Sequence, residues 1–253
     1  MNKHTIKPMM LAKMDSEKGP MTYLTYHGQP IVRPYVFWFI RSDEKNILID
    51  TAIEAEDYKH YKPGFKDFPF QPQQSFETAL ESVGLAPEDI DIIIHTHLHY
   101  DHIYNTPKCK NAMIYVQQKE LEFALNPHPT LEFAYPKEMI RRISFEVLNG
   151  DQTIVPGISV MLTPGHSPGG QSILIDTPKG KAVIPGFCCI MENFTPPEDI
   201  AVSVSPFATY PVISPGIHSD LFQAYDSTLK VKEIADIIIP MHDPELAVRE
   251  QIP

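Results

Sequence analysis

The stretch "DIIIHTHLHYDHIYN", residues 91–105, decides the fold of this 253-residue chain. Its apolar triplet, Ile92 to Ile94, predicts a central strand that helices cover on both faces. Four of the chain's eleven histidines follow within eight positions. The end of a buried strand in an α/β sheet is a common place for ligand-binding groups, and His and Asp suit zinc or iron. The stretch therefore predicts a metal site at the end of a buried strand.

Alternation along an extended chain places the side chains of His97, His99 and Asp101 on one face. His102 reaches the same site only if the chain turns. His95 shares the parity of His97 and His99 but lies within the predicted strand. We therefore expect His95 to be a buried residue behind the metal ligands.

The rest of the chain alternates between strand and helix patterns. "PYVFWFIRSDEKNILIDT" predicts two strands joined by a polar turn, and "PQQSFETALESVGL" predicts an amphipathic helix that ends near Gly84. Residues 145–186 predict antiparallel strands joined by Asn-Gly, Pro-Gly and Lys-Gly turns. "SDLFQAYDSTLKVKEI" predicts a helix with Ser219 as its N-cap, and "ADIIIP" predicts a last buried strand. This order indicates a layered α/β protein, read as one domain over residues 1–253.

Composition argues against several classes of partner. The formal net charge of -11 would repel a phosphate backbone, and the sequence contains no run of Lys and Arg that could form a local basic groove. A nucleic-acid partner is therefore not expected. No apolar run approaches the ~20 residues that span a bilayer, and the first residues lack the pattern of a signal peptide. We therefore expect a cytoplasmic protein without a membrane partner, whose three cysteines are reduced.

Four motifs in order resemble the metallo-β-lactamase superfamily. "HLHYDH", from His97 to His102, matches the family's HxHxDH signature, and "NILIDT" matches the early strand that ends at Asp50. "TPGHSPGGQSILI" matches the histidine loop at His166, and "IIIPMHDP" matches the last metal histidine, His242. "HLHYDHIYN", "MENF" and "MHDPE" are most similar to the N-acyl-homoserine lactonases and related small-lactone hydrolases. The resemblance implies a four-layer αββα sandwich.

The resemblance also implies a metal centre. One metal site would use His97, His99 and His166, and a second would use Asp101, His102 and His242. One or two zinc ions per chain are expected, with iron or manganese as alternatives. Hydroxide held by the metals would attack a carbonyl while Asp101 or a nearby group handles the proton. Asp50 would orient a ligating histidine rather than bind the metal.

The chain departs from the family pattern in the segment "KAVIPGFCCIMENF". The bridging aspartate of the family falls on Gly186 or Phe187, and its substrate-binding tyrosine falls on Cys189. Three alternatives follow. Two metals bind without the bridge, a thiolate of Cys188 or Cys189 replaces it, or a single metal occupies the three-histidine site.

Two long segments near residues 61–74 and 191–219 are rich in proline and aromatic residues, which is typical of lid-like loops. Phe207 and Tyr210 are candidates for a substrate pocket that would take a small molecule. The same segments could instead form a homodimer interface.

The leading hypothesis is a metal-dependent hydrolase that opens a small lactone or a related cyclic ester or amide. One alternative is a mononuclear iron oxygenase of the same superfamily, and another is a non-hydrolytic metal-binding protein. Iron content and oxygen consumption would separate the oxygenase from a hydrolase.

Overall fold

Two β-sheets pack face to face in a computed structural model that describes residues 3–42, 45–61, 69–196 and 210–253. The strands are β1 Ile6–Glu17, β2 Pro30–Arg41, β3 Asn46–Ile49, β4 Phe70–Pro72, β5 Ile92–Ile94, β6 Met113–Gln117, β7 Glu146–Leu148, β8 Gln152–Val155, β9 Ile158–Leu162, β10 Gln171–Thr177, β11 Gly180–Ile184 and β12 Ile237–Ile238. The α-helices are α1 Ala55–Tyr61, α2 Phe76–Glu81, α3 Tyr100–Ile103, α4 Gln118–Leu125, α5 Lys137–Ile140, α6 Leu221–Ile234 and α7 Pro244–Ala247. Short 3-10 helices lie at Gly19–Met21, Pro87–Asp89, Thr106–Lys108, Glu132–Ala134 and Met191–Asn193.

The first sheet has seven strands in the order β4-β1-β2-β3-β5-β6-β7. Strands β1, β2, β3 and β4 pair in antiparallel fashion, and β3, β5, β6 and β7 pair in parallel. The predicted central strand is β5, which lies between β3 and β6. The expectation that helices cover both of its faces is wrong, because one face packs against helix α2 and the other against the second sheet. The parallel strands place the carboxyl ends of β3 and β5 at one edge of the sheet, next to the histidine-rich stretch.

The second sheet has five strands in the order β12-β11-β10-β9-β8. The predicted Pro-Gly and Lys-Gly turns join β8 to β9 and β10 to β11 as antiparallel hairpins, β9 and β10 also pair antiparallel, and β12 joins β11 in parallel. The Asn-Gly turn instead connects the two sheets, and the expectation of an antiparallel strand before it is wrong because β7 pairs in parallel with β6. The chain between β9 and β10 carries His166, and the chain after β12 carries His242. Both histidines therefore belong to loops of the second sheet.

Alternation along the strands explains the layers. Ile47, Ile49 and Ile94 face the second sheet and share one buried core with Val160 and Ile173. The intervening residues face outward and form a second buried core under helix α2. On the far side of the second sheet, buried residues pack against helix α6. The molecule is the predicted four-layer αββα sandwich.

Helix α6 begins one residue later than predicted. Its N-cap is Asp220, whose carboxylate accepts a hydrogen bond from the backbone N–H of Gln223 at 3.0 Å. The Ser219 hydroxyl instead donates to the carbonyl of Gly165, 2.9 Å away. The prediction of Ser219 as the cap is wrong because a tertiary contact engages its side chain, leaving the neighbouring carboxylate to cap the helix.

No helix in the described part of the chain has the length and apolar character to cross a membrane. Cys109, Cys188 and Cys189 are all buried free thiols.

Candidate metal centre

Three histidines from both sheets converge at one edge of the sandwich. The ligand atoms of His97, His99 and His166 all lie within 4.8 Å of one another, and all three side chains are buried. The rings of His97 and His99 have centroids 4.5 Å apart, and each lies 4.8 Å from the ring of His166. The arrangement joins the loop after β5 to the loop between β9 and β10.

A second group lies beside the first. Asp101, His102 and His242 also have ligand atoms within 4.8 Å of one another and are buried. The rings of His97 and His102 are 4.0 Å apart between centroids, so the two groups adjoin. The structure therefore brings together all six side chains that the sequence motifs indicate.

Asp101 reaches its position differently from the alternation argument. Helix α3 begins at Tyr100, with His99 as its N-cap in extended conformation. A helix places side chains about 100° apart, so Asp101 leaves the face of His97 and His99 and joins His102. The expectation of an extended chain through Asp101 is wrong, because the turn comes two residues earlier than that expectation required.

Hydrogen bonds donated by the Nδ1 atoms fix how the imidazoles face the site. His166 Nδ1 lies 2.7 Å from the carbonyl oxygen of Ile217, and His242 Nδ1 lies 3.1 Å from that of Pro34. A carbonyl oxygen can only accept, so each Nδ1 carries the proton and each Nε2 keeps a free lone pair. Metal-ligating histidines are commonly held in this way by a partner behind the ring.

His97 and His102 follow the same rule through Asp50. The Thr96 hydroxyl donates to Asp50 Oδ2 at 2.7 Å, so its oxygen accepts from His97 Nδ1 at 3.0 Å. His102 Nδ1 donates directly to Asp50 Oδ2 at 2.8 Å. Burial alone would raise the pKa of Asp50, but His102 lowers it to about 2, so the carboxylate is ionised and accepts both bonds.

The donor set fits a divalent cation. The Nε2 atoms of His97 and His99 are buried and have no hydrogen-bond partner among the described residues. Burial lowers the pKa of His166 to about 4 and holds the pKa values of His97 and His99 well below the ordinary value. Neutral imidazoles with free lone pairs are the form that binds zinc. A buried polar nitrogen without a partner is costly, and a metal ion would satisfy it.

His95 and Asp50 lie behind the candidate ligands. His95 is fully buried and contacts Asp50 at 3.4 Å through Nδ1 and the Thr106 hydroxyl at 3.0 Å through Nε2. Asp50 has φ +57°, a left-handed conformation that is uncommon outside glycine and often occurs at functional positions. Both residues occupy the places that the sequence suggested for supporting side chains.

Glu120 was not anticipated from the sequence. Its buried carboxylate accepts hydrogen bonds from the backbone N–H of Leu98 at 2.9 Å and of Gly169 at 3.2 Å. Leu98 lies between two candidate ligands and Gly169 follows the third, so Glu120 connects the two loops of the three-histidine group. In the sequence it resembles any polar residue of an amphipathic helix, and only the contacts reveal its position.

The sequence pattern also does not indicate that Arg33 lies at the centre. Its guanidinium Nη2 donates to Asp101 Oδ2 at 2.9 Å, and both side chains are largely buried. Burial alone would raise the pKa of Asp101, but the neighbouring His102 and Arg33 hold it well below the ordinary value. A single arginine near the start of strand β2 carried no signal in the sequence.

The segment in which the family pattern places the bridging aspartate supplies no member of the two ligand groups. A Cβ atom at Gly186 would lie 2.0 Å from the carbonyl oxygen of Gln171, and Phe187 packs with Phe194 in a buried apolar cluster. Cys189 lies in the same cluster. Cys188 lines a cavity of about 100 Å³ together with Arg33 and members of both ligand groups. Burial raises the pKa of the Cys188 thiol to about 11, although Arg33 lowers it.

The two pocket candidates lie elsewhere. Phe207 is outside the described residues, as is much of each predicted lid segment. Tyr210 is 43% exposed and lines a surface pocket of about 480 Å³ with Tyr225. None of the six candidate ligands lines that pocket, so the structure does not bring Tyr210 to the histidine cavity.

Known proteins with related sequences and folds share this architecture. An N-acyl homoserine lactonase of Bacillus cereus is 33% identical over 165 residues, which cover 62% of this chain and 64% of that relative. The matched stretch thus spans just under two thirds of the relative's length.

Solved structures extend the similarity over the whole chain. One is a variant of B. thuringiensis AiiA with N-decanoyl-L-homoserine bound at its active site; it has a TM-score of 0.75 and 27% identity, with 97% of this chain and 95% of that one covered. Another is an N-acyl homoserine lactone hydrolase with N-hexanoyl-L-homoserine bound at its catalytic metal center, at a TM-score of 0.74, 27% identity and the same coverage. Because residues 31–186, more than half of the chain, match the family model itself, this protein belongs to the metallo-beta-lactamase superfamily.

Proposed function

We propose that this protein is a metal-dependent hydrolase that opens a small lactone or a related cyclic ester or amide. The observation that carries the proposal is the convergence of five imidazoles and one carboxylate, with two Nε2 atoms buried and unpartnered among the described residues. The similarity to lactonases over most of the fold supports the same reaction class.

The proposed reaction is a hydrolysis. The oxygen of water bonds to the carbonyl carbon of the ring, the ring C–O bond breaks, and the departing alkoxide takes a proton to give a hydroxy acid. When bound, zinc would supply a lower pKa for a coordinated water and positive charge near the carbonyl. His97, His99 and His166 are proposed to hold that ion, with Asp101, His102 and His242 as the second set of ligands.

The chain's own residues orient and support this chemistry. Asp50 fixes His102 and, through Thr96, His97, so their Nε2 atoms face the centre. Asp101 is the ionised acceptor on the cavity wall and is proposed to receive and return the proton. Cys188 as a thiolate ligand stays a prediction, because its thiol lines the cavity but belongs to neither ligand group.

The substrate is proposed to be a cyclic ester of the N-acyl homoserine lactone type. The related structures hold ring-opened acyl homoserines at their active sites. When a ring ester is hydrolysed, negative charge develops first on its carbonyl oxygen and then on the leaving alkoxide. Both oxygens would be stabilised by a metal ion at the histidines and by the positive charge of Arg33.

The test is lactone hydrolysis by zinc-loaded protein, followed as proton release with short-chain and long-chain acyl homoserine lactones. A His97→Ala, His166→Ala double variant should lose activity by at least about 1,000-fold, because the proposed metal ligands are gone. His128→Ala is the matched control, since this exposed histidine bonds only locally to Thr130. Unchanged turnover in the double variant would refute the proposal, as would zinc-loaded protein that opens none of the lactones.

The oxygenase alternative has one structural feature in its favour. Asp101, His102 and His242 form a set of two histidines and one carboxylate, which is the donor set of many mononuclear iron oxygenases. However, the Asp101 oxygen is already paired with Arg33. Oxygen consumption by iron-loaded protein would support the oxygenase reading, and its absence beside lactone hydrolysis would support the hydrolase.

A further inference from the structure

Arg33 introduces a fixed positive charge into the candidate centre. Among the described residues that line the cavity, it is the one lysine or arginine, and His242, Asp101 and Cys188 line the same cavity. Its Nη2 atom contacts Asp101 Oδ2 at 2.9 Å, the carboxylate of the second ligand group. Arginine stays protonated in proteins, so this charge is permanent.

Strand β2 holds Arg33 in this position. The next residue, Pro34, accepts the hydrogen bond from His242 Nδ1 through its carbonyl oxygen. The following residue, Tyr35, has its ring 5.0 Å from the Arg33 guanidinium carbon and 6.2 Å from the ring of His242. Pro34 and Tyr35 therefore help to position the imidazole of His242, and Tyr35 also packs against the guanidinium of Arg33. Arg33 is part of the built site and not a mobile surface side chain.

The charges of the second group disfavour a divalent ion there. The six candidate ligands include one carboxylate, Asp101, and Arg33 already neutralises it at contact distance. Neither Gly186 nor Phe187 can provide another carboxylate. A divalent cation bound by Asp101, His102 and His242 would therefore lie beside a guanidinium, in a buried site where repulsion is weakly screened. In the described part of the chain, no lysine or arginine is bonded to a ligand of the three-histidine group.

The geometry points to a centre in which Arg33 takes the place of a second metal ion. A single metal ion binds His97, His99 and His166, and the Arg33 guanidinium supplies the second positive charge. This inference rests on the proposed function and selects the single-metal alternative. In the hydrolysis, Arg33 would donate hydrogen bonds to the carbonyl or alkoxide oxygen as negative charge develops on it. It acts as a hydrogen-bond donor and keeps its proton.

The test is metal stoichiometry, which does not depend on activity. Wild-type protein is incubated with excess Co²⁺ or Zn²⁺, freed of unbound metal and measured by elemental analysis, with the Co²⁺ absorption spectrum as a second readout. We expect about one metal ion per chain in the wild type and about two in Arg33→Met, because this variant frees Asp101 for a second ion. Arg41→Met is the matched control on the same strand and should stay at one, since Arg41 bonds the carbonyl of Val83 far from the centre.

The Arg33→Lys variant tests whether the positive charge at residue 33, rather than the shape of the guanidinium, limits the number of bound metal ions. It keeps a cation, so it should bind one metal ion in excess metal. When each variant is given a single equivalent of metal, Arg33→Lys should retain more lactonase activity than Arg33→Met. Two metal ions in the wild type would overturn the inference and leave the proposed hydrolase intact. A count of one in Arg33→Met would also overturn it. No metal in the wild type would refute the metal centre itself. The wild-type count decides the question even if Arg33→Met does not fold.

Discussion

Asp50 illustrates how one side chain organises several others. Its carboxylate accepts from the backbone N–H of Thr96 at 2.8 Å, from the Thr96 hydroxyl and from His102. The motif "NILIDT" could indicate this aspartate because the family pattern contains it. Arg33 and Glu120 could not be found that way, since their roles depend on contacts with residues 68 and up to 49 positions away in the chain. Local patterns identify candidate ligands, but only tertiary contacts show what lies behind them.

Asp50→Asn should weaken zinc binding about 10- to 100-fold, as is typical when the partner behind a metal-bound histidine is removed. Asparagine tolerates the left-handed backbone at this position, so the effect reports the lost acceptor and not strain. Zinc affinity is measured by competition with a chelator. Asp91→Asn is the control, because Asp91 accepts from Asn46 at the opposite end of β5 and should leave the affinity unchanged. Equal affinities in the wild type and Asp50→Asn would contradict the supporting role.

Helix α4 shows, for a whole element, that tertiary contacts decide a role that the sequence pattern does not indicate. In the sequence, "QQKELEFAL" predicts this helix and "AMIYV" predicts the strand before it, and both are present as α4 and β6. The sequence does not predict that Glu120 turns inward and bonds the loops that carry His99 and His166. The periodic pattern only separates polar from apolar residues, so it assigns Glu120 to the exposed face of the helix. It cannot show that backbone N–H groups satisfy this carboxylate in a buried position. The early helical turn at Tyr100 was missed for a similar reason, because strand alternation has no information on where a strand stops.

Glu120→Gln should lower the free energy of unfolding by about 1–3 kcal/mol, because an amide NH₂ would replace an oxygen that accepts from a buried N–H. It should also weaken metal binding, since the two loops lose their common anchor. Both quantities are measured by denaturant unfolding of metal-free protein and by chelator competition. Glu122→Gln on the same helix is the control, because Glu122 is exposed and bonds Gln118. If the two variants were equally stable, Glu120 would have no structural role beyond that of a surface residue.

At the scale of the whole molecule, the candidate centre joins the two halves of the sandwich. His97 and His99 come from the first sheet and His166 from the second, so a shared metal ion would connect them. Strand and helix patterns in the sequence predict a layered α/β protein, and the four-layer αββα arrangement follows from the resemblance to the metallo-β-lactamase superfamily. Phe207 lies outside the described residues, and Tyr210 lies on a different surface pocket. Long loops lack the periodicity that made the sheets predictable.

Removal of metal should lower the thermal stability of the protein. A ligand present at 100 to 1,000 times its dissociation constant stabilises the folded state by about 3–4 kcal/mol. For a chain of this size, this corresponds to roughly 6–16 °C in the melting temperature. Calorimetry of zinc-loaded and chelator-treated protein measures the difference, and the His97→Ala, His166→Ala variant should show almost none. A melting temperature that does not respond to zinc in the wild type would argue against a metal that bridges the sheets.

The close approach of Gly186 to Gln171 also limits which side chains this segment can accept. Gln171 donates from its backbone to Thr96 and from its side chain to the carbonyl of His95, so it supports the histidine stretch. Any side chain introduced at residue 186 would push against that support, and a carboxylate at residue 187 would enter an apolar cluster. A single substitution at residue 186 or 187 therefore cannot place a bridging carboxylate in the centre unless the surrounding backbone also moves.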